Sequence, residues 1–254
     1  MNTLKPVCDF SFYTHGLSKY MKSYHLSLFV VGLLVVAPGY AQTVRFETSV
    51  GNFDVDLLPG YAPLNVENLL SYVTTGRYDN TVIHRAQDNF VVQMGAFSSA
   101  TPEPPADTSG FSPIATDPPV EGEPAQETGL SNTVGTVALA LPGSMFGTNQ
   151  DGGTSSFFVN GGDNSFLDGD FTVFGTVPDM TTINAIFAAP DFPDAASQYG
   201  GGLTYSDMPL TPEGNLIMIN SAYVVGQNVP EPSCGMLTIL ALVSVGSLGR
   251  SWRS

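Results

Sequence analysis

Apolar residues recur at every second position over residues 44–48 and again over residues 51–57. Such alternation is typical of β-strands that bury one face and expose the other. Ser49, Val50 and Gly51 join the two stretches, and a short connection that contains glycine favours a tight turn. The pattern therefore predicts a β-hairpin with one buried face.

The spacing then changes to that of a helix. Pro63 suits the first helical turn, and Gly76 is a stop signal just past the last periodic position. The apolar residues between them are three or four positions apart and share one face: Val66, Leu69, Leu70 and Val73. This stretch is predicted to be an amphipathic helix packed against the strands.

Later parts of the chain return to strand-like patterns. Strands are predicted at residues 81–85, 90–95, 135–140, 156–160, 171–177 and 216–225, with a short helix around Met180, Ile183 and Ile186. Residues 98–130 differ because proline is frequent and periodicity is absent, which predicts a long surface loop with the composition of a mobile segment. Many short strands with two helices indicate a closed β-barrel or a β-sandwich, and the pattern alone does not choose between them.

Charge argues against one class of partner. The net charge of the chain is -15, and all three lysines lie within the first 22 residues. Between residues 42 and 228 the strong cations are Arg45, Arg77 and Arg85, against 21 acidic residues. Because phosphate backbones bind clustered lysine and arginine, nucleic acid is not expected to be a partner.

Both cysteines, Cys8 and Cys234, lie close to the ends of the chain. The region between them therefore offers no thiol nucleophile, disulfide or cysteine-ligated metal. Neither a cofactor nor a metal is expected in this protein, and its stability is expected to come from an apolar core.

Residues 1–41 are predicted to be a signal peptide rather than part of the fold. Met21 is an alternative start, and an apolar run over residues 26–37 and the small residues Gly39 and Ala41 follow it. Cleavage is expected after Ala41. A membrane anchor is the weaker alternative, since the apolar run is shorter than the roughly 20 residues that span a bilayer.

At residues 229–254 the motif Val-Pro-Glu-Pro precedes an apolar segment over residues 234–248, and Arg250 and Arg253 follow it. This arrangement resembles the PEP-CTERM sorting signal, which an exosortase reads and removes at the envelope of certain Gram-negative bacteria. The resemblance implies an exosortase-like partner and transient membrane contact through the terminal segments. It also implies an exported domain at residues 42–228, in the periplasm, on the outer surface or in the extracellular matrix. A retained anchor with a two-arginine stop is the alternative.

A series of segments follows one another between the two ends of the chain, at residues 62–69, 76–81, 83–85, 90–95, 132–140, 155–160, 164–168 and 173–175. In their order and spacing these segments resemble the cyclophilin family of peptidyl-prolyl cis/trans isomerases, and the resemblance spans about residues 44–225. Each segment alone is weak evidence, but the ordered set is specific. The resemblance implies a mainly β fold, a closed eight-stranded antiparallel β-barrel capped by two α-helices, with the active groove on its outer surface.

The resemblance also implies a site for proline-containing polypeptides. Arg85 matches the catalytic arginine of the family, and Gln93 matches the residue that hydrogen-bonds the substrate backbone. The matching substrate-binding positions are Phe90, Val91, Ala140, Phe158, Leu167 and Phe171. A fixed cation stabilises a twisted proline amide electrostatically, so the reaction requires neither a nucleophile nor a metal.

Phe157 and His84, which are next to the site residues Phe158 and Arg85 in sequence, are instead assigned to the interior. Phe157 is expected in the core because adjacent residues of a strand point to opposite faces. His84 is expected to be a buried structural histidine, since the reaction moves no proton.

Several site positions depart from the family pattern. Val91 stands for a usual methionine, Ser156 for a frequent glutamine, Phe166 for a frequent tryptophan and Phe171 for a histidine, while residues 140–142 replace an Ala-Asn-Ala-like segment. These changes predict an altered sequence preference and place cyclosporin binding in question. The rival interpretation is a non-catalytic module that holds proline-containing segments in surface or matrix assembly.

Overall fold

A computed structural model describes residues 42–142, 150–192 and 207–226. The predicted signal peptide and sorting segment lie outside these residues. The strands are β1 (Thr43–Thr48), β2 (Gly51–Leu57), β3 (Thr81–Val82), β4 (Arg85–Gln87), β5 (Val91–Met94), β6 (Phe97–Ser99), β7 (Phe111–Pro113), β8 (Thr136–Leu139), β9 (Phe157–Asn160), β10 (Val173–Thr176) and β11 (Met218–Val224). The α-helices are α1 (Pro63–Thr74), α2 (Ala125–Thr128) and α3 (Thr181–Phe187). Within the described ranges, none of the helices has the length and apolar character needed to cross a membrane.

The predicted hairpin is confirmed by β1 and β2, which pair antiparallel with Phe46 opposite Phe53. The two rings stack with their centroids 5.1 Å apart, and both side chains are buried. Gly51 follows the turn with a φ of +130°. A residue with a side chain rarely adopts this conformation, and a Cβ here would also lie 3.0 Å from the hydroxyl of Thr182.

All eleven strands belong to one antiparallel sheet, in the order β4-β5-β9-β8-β10-β2-β1-β11-β3-β6-β7. Only Ile83 and His84 separate β3 from β4, and they donate their N–H groups to Ile217 and Gln93 respectively. The same run of chain thus pairs with β11 at one end and with β5 at the other, so the sheet curls round on itself.

The predicted mainly β, antiparallel cyclophilin-like architecture is confirmed, with eleven hydrogen-bonded strands among the described residues instead of eight. The count differs because one predicted strand divides into β3 and β4, while β6 and β7 form an additional hairpin beside β3. A bend within one strand changes the number of segments without changing the barrel-like curvature of the sheet.

Both predicted helices are present. The buried face of α1 consists of Asn65, Val66, Leu69, Tyr72 and Val73. Leu70 is only partly buried, and Gly76 follows the helix with a φ of +67°, in agreement with its predicted role as a stop. In α3, Ile183 and Ile186 are fully buried and belong to the same core as the interior of the barrel.

The prediction of a patternless loop over residues 98–130 is wrong in part. The segment includes β7 and the single-turn helix α2, and it is attached to α1 at two points. Asp117 accepts a hydrogen bond from the hydroxyl of Ser71, and the buried Glu123 accepts hydrogen bonds from the backbone and side chain of Asn65. Polar pairs far apart in sequence hold this segment, so it carries no hydrophobic period that a sequence pattern could reveal.

Candidate active site

A groove of about 500 Å³ lies on the outer surface of the sheet. Its walls come mainly from β4, β5 and β9 and from the chain that follows β8. All eight residues predicted from the resemblance line it: Arg85, Phe90, Val91, Gln93, Ala140, Phe158, Leu167 and Phe171. The residues that the sequence scatters over more than 80 positions are thus brought together in one depression.

Strand register explains this convergence. Arg85 on β4 lies opposite Gln93 on β5, and Gln93 lies opposite Phe158 on β9. Phe158 in turn lies opposite Ala138 on β8. Directly opposed residues project from the same face of a sheet, so the four side chains form one row across four strands. A slip of one residue in any pairing would send a member of this row into the barrel interior.

The alternation along each strand separates the groove from the core. Phe158 faces the groove, whereas its neighbour Phe157 is buried in the barrel against Phe46 and Tyr78. The assignment of Phe157 to the core is therefore confirmed. One strand supplies both regions because its side chains point alternately to its two faces.

One end of the groove is apolar. Phe158 and Phe171 meet edge to face with their centroids 5.6 Å apart. Val91, Ala140 and Leu167 complete the same buried cluster. Such a small, rigid, apolar slot suits a compact aliphatic ring and excludes water from it.

The other end of the groove carries a cation. The side chain of Arg85 is 9% exposed, and its Nη2 donates a 2.6 Å hydrogen bond to Oε1 of Gln87. Its Nε lies 4.0 Å from a carboxylate oxygen of Asp207, and its Cζ lies 5.3 Å from the centroid of the Phe90 ring. Burial lowers the pKa of Arg85, and the charge of Asp207 opposes this shift. Because arginine ordinarily titrates above pH 12, the guanidinium remains charged at neutral pH.

Gln93 lies between the cation and the slot. Its Nε2 donates to Oγ of Ser156 at 3.3 Å, and that hydroxyl donates to the carbonyl of Met94 at 3.2 Å. The serine hydroxyl therefore orients the side-chain amide of Gln93. With Nε2 engaged in this way, the side-chain oxygen remains able to accept a hydrogen bond from a peptide.

His84 lies beneath the groove and is 1% exposed, which confirms the predicted buried histidine. Neither ring nitrogen makes a hydrogen bond of good geometry to a described residue, and the ring meets that of Phe97 edge to face at 5.4 Å. Burial lowers the pKa of His84 to about 4, against a smaller opposing effect of the Val82 carbonyl. The imidazole is therefore neutral at pH 7.

Sequence reasoning missed several residues in and around the groove. Gln87 and Asp207 contact or approach the guanidinium, while Phe97 and Thr154 line the far wall. Gln87 stands two positions after Arg85 on the same strand, so strand periodicity alone would have placed both side chains on one face. Asp207 and Thr154 lie in irregular segments, where no periodic signal exists. No group of three or more histidine, cysteine or carboxylate side chains in the described ranges is arranged to hold a metal ion.

Comparison with known proteins identifies the class to which this fold and groove belong. A family model described as "Cyclophilin type peptidyl-prolyl cis-trans isomerase/CLD" matches residues 43–194. The chain belongs to the cyclophilin-type peptidyl-prolyl cis-trans isomerases, a family of enzymes that interconvert the two isomers of X-Pro bonds.

Individual relatives agree with this assignment. Over 152 residues the chain is 36% identical to a peptidyl-prolyl cis-trans isomerase of Acinetobacter baylyi. The match covers 58% of this chain and 72% of that protein. Over 200 residues it is 32% identical to peptidyl-prolyl cis-trans isomerase A of Dickeya dadantii, covering 77% of this chain and 93% of that protein.

Among solved structures, a cyclophilin type peptidyl-prolyl cis-trans isomerase of Cryptosporidium parvum matches with a TM-score of 0.52 and 19% identity. The match covers 74% of this chain and 99% of that chain, and it supports the fold alone. A second structure of the same protein was determined in the presence of the dipeptide Ala-Pro.

Proposed function

We propose that the protein assists the folding of exported polypeptides by accelerating X-Pro isomerisation, with Arg85 stabilising the twisted amide and the apolar slot holding the proline ring. The observation that carries this proposal is the single row of Arg85, Gln93 and Phe158 across three adjacent strands. The row supports a substrate chain that runs across the strands, with a cation at one end and an apolar slot at the other.

The chemical problem is a rotation and not a bond cleavage. Resonance gives the amide C–N bond partial double-bond character, and rotation faces a barrier of about 18–20 kcal/mol. At the top of the barrier the conjugation is lost, and the proline nitrogen becomes pyramidal and carries a lone pair. A group that binds this nitrogen only in the twisted state lowers the barrier, because the planar isomers offer it no lone pair.

Arg85 fits that requirement. Its guanidinium is permanently charged, planar and rich in N–H donors, and it is held in a largely buried position. A charge in a site from which water is largely excluded interacts more strongly than the same charge in water. It is also already in place before the rotation begins, so no reorganisation is required during the reaction.

The slot and Gln93 position the substrate. Phe158, Phe171 and Leu167 hold the ring of proline while the chain on one side of the bond rotates. A hydrogen bond from the substrate backbone to Gln93 fixes the other side. Holding one side of the bond still while the other side turns converts binding energy into correct orientation.

Export is proposed from the sequence. The predicted signal peptide and sorting segment support substrates in the periplasm, on the outer surface or in the extracellular matrix, and the strongly acidic composition suits a solvent-exposed protein. Mass spectrometry of the native protein tests this part. The proposal expects a chain that begins near residue 42 and ends near Pro232, and a native chain that retains both terminal segments would contradict it.

The catalytic part is tested by the isomerisation rate of a proline-containing peptide with the purified protein and its Arg85→Ala variant. We expect the variant to lose about 99% of the catalysed rate, the effect typical of one electrostatic group at the reacting centre. Arg45→Ala is the matched control, since Arg45 lies on β1 and pairs with Asp54. Equal rates for wild type and Arg85→Ala would contradict the proposed role, and slow rates in both with retained peptide binding would favour the non-catalytic module.

A further inference from the structure

We propose that Gln87 is a positioning residue that aims the guanidinium of Arg85 at the substrate through a neutral hydrogen bond. This inference rests on the proposed catalytic role of Arg85. It assigns to a solvent-exposed side chain, itself outside the set that lines the groove, a direct influence on the rate of isomerisation.

The geometry of β4 brings the two side chains together. Arg85 and Gln87 are two residues apart, so both project from the same side of the strand. The Nη2 of Arg85 donates to Oε1 of Gln87 at 2.6 Å, which is short for a hydrogen bond between nitrogen and oxygen. The contact therefore fixes one end of the planar guanidinium and limits its rotation.

The other contacts of the guanidinium are looser. Nε is buried and makes no hydrogen bond to a described residue, and its separation from the carboxylate of Asp207 is 4.0 Å. The ring of Phe90 lies 5.3 Å from Cζ, within the range of a cation–π contact that leaves rotation in the plane free. The hydrogen bond to Gln87 is thus the contact that sets the direction in which the remaining N–H groups point.

The hydrogen-bond acceptor of Arg85 is a neutral amide, whereas the acceptors of the other two arginines are carboxylates. Arg45 donates two hydrogen bonds to the carboxylate of Asp54, and Arg77 donates two to that of Asp117. Acidic residues outnumber arginines sevenfold between residues 42 and 228, yet the described group that is hydrogen-bonded to Arg85 is an uncharged amide, and the carboxylate of Asp207 lies 4.0 Å from its Nε. A neutral acceptor orients the guanidinium without cancelling the positive charge that the twisted amide requires.

Two variants separate orientation from charge. Gln87→Leu keeps the size of the side chain but removes the acceptor, and Gln87→Glu keeps an acceptor but adds a negative charge. We expect each to lower kcat for a proline-containing peptide about tenfold, the scale of one hydrogen bond to a charged group, with KM changed less than about twofold. Because Gln87 is exposed, both variants are expected to melt within a few degrees of the wild type.

A second readout reports on Arg85 directly. In the wild type, nitrogen NMR of the Arg85 side chain is expected to show slow rotation of the guanidinium, and Gln87→Leu is expected to accelerate it. A merely structural role of Gln87 would not change this rotation while the melting temperature stays constant.

The inference is overturned if either variant retains the wild-type kcat, if the loss appears only in KM, or if the rotation of Arg85 is unchanged in Gln87→Leu. Arg85→Ala, measured in the same assays, distinguishes failure of the positioning role of Gln87 from failure of the proposed function. A slow Arg85→Ala with a fast Gln87→Leu refutes the positioning role alone, whereas a fast Arg85→Ala refutes the proposed function and the inference with it.

Discussion

The groove around Arg85 and the junction around Arg77 place the same kind of side chain in opposite settings. At the junction, which consists of Arg77, Asp117, Ser71 and Tyr72, the guanidinium bonds both carboxylate oxygens of Asp117 at 2.9 and 2.7 Å. It also donates to the hydroxyl of Ser71 and lies 3.9 Å over the ring of Tyr72. In the groove, and counting described partners alone, Arg85 has one short hydrogen bond, to the side-chain amide of Gln87.

The pKa shifts also differ between the junction and the groove. At the junction, hydrogen bonding to Asp117 raises the pKa of Arg77, and the same bonds lower the pKa of Asp117 to about 2. In the groove, burial lowers the pKa of Arg85 and lowers that of His84 to about 4. The junction thus stabilises charged groups, whereas the groove keeps polar groups in surroundings that disfavour their charged forms.

The difference supports the proposal that Arg77 is a structural arginine and Arg85 a functional one. A side chain whose donors are occupied by the protein attaches one segment to another. A side chain that is buried beside an apolar slot with donors still available is ready to interact with a substrate, and perturbed groups of this kind cluster at functional sites.

The largest difference expected between the groove and the junction is the effect of His84 on the pH dependence of stability. Its folded-state pKa of about 4 lies below the ordinary value of 6.5, so the unfolded chain takes up the proton first as the pH falls. The free energy of unfolding is expected to decrease by about 3 kcal/mol between pH 6.5 and pH 4, through this residue alone. The charged group that disfavours the protonated form, besides burial itself, is Arg85.

An NMR titration of the His84 imidazole checks the shift, and melting curves across the same pH range check its consequence. His84→Gln serves as the control, and its stability is expected to vary less over this interval. Titration of His84 near pH 6.5 would show that the groove does not penalise charge in the way described.

A smaller effect is expected at the junction. Asp117→Asn removes the charge that Arg77 binds, and the melting temperature at pH 7 is expected to fall by about 2–4 °C, since the pair is partly exposed. The folded-state pKa of Asp117 is depressed, so its contribution is fully present above about pH 4 and is lost as the pH falls through 2.

Calorimetry of wild type and Asp117→Asn over pH 2 to 7 measures this difference, and isomerisation assays at pH 7 provide the control. The two melting curves are expected to converge below pH 2, and the activities at pH 7 to agree. A large loss of isomerisation in Asp117→Asn would mean that the junction and the groove are not separate in function.

The sequence predicts those helices and strands in which apolar residues recur at regular intervals. The alternation around Phe46 and Phe53 predicts the hairpin, and the spacing of Val66, Leu69 and Val73 predicts α1, because burial of one face imposes these periods. The sheet order does not follow from periodicity, since it depends on pairings between distant strands. Resemblance to a family supplied that information.

The candidate site also has residues that the sequence identifies and an arrangement that it does not predict. Arg85, Gln93 and Phe158 were identified through a resemblance that covers the strands carrying them, and the row that they form depends on register, which the sequence alone does not give. The attachments of Asp117 and Glu123 to α1 span 46 and 58 positions. Isolated polar pairs over such distances leave no local pattern, so the order within residues 98–130 was not predictable from the sequence.

Under the proposed function, Arg85 binds the twisted amide more tightly than either planar isomer. The most direct test measures, for wild type and Arg85→Ala, both the dissociation constant of a proline-containing peptide and the rate at which that peptide isomerises when bound. We expect the dissociation constants to agree within about threefold while the rate of isomerisation of the bound peptide falls about a hundredfold. If Arg85→Ala instead binds the peptide about a hundredfold more weakly but isomerises the bound peptide at the wild-type rate, the proposed role is wrong, because Arg85 would then be a binding residue only.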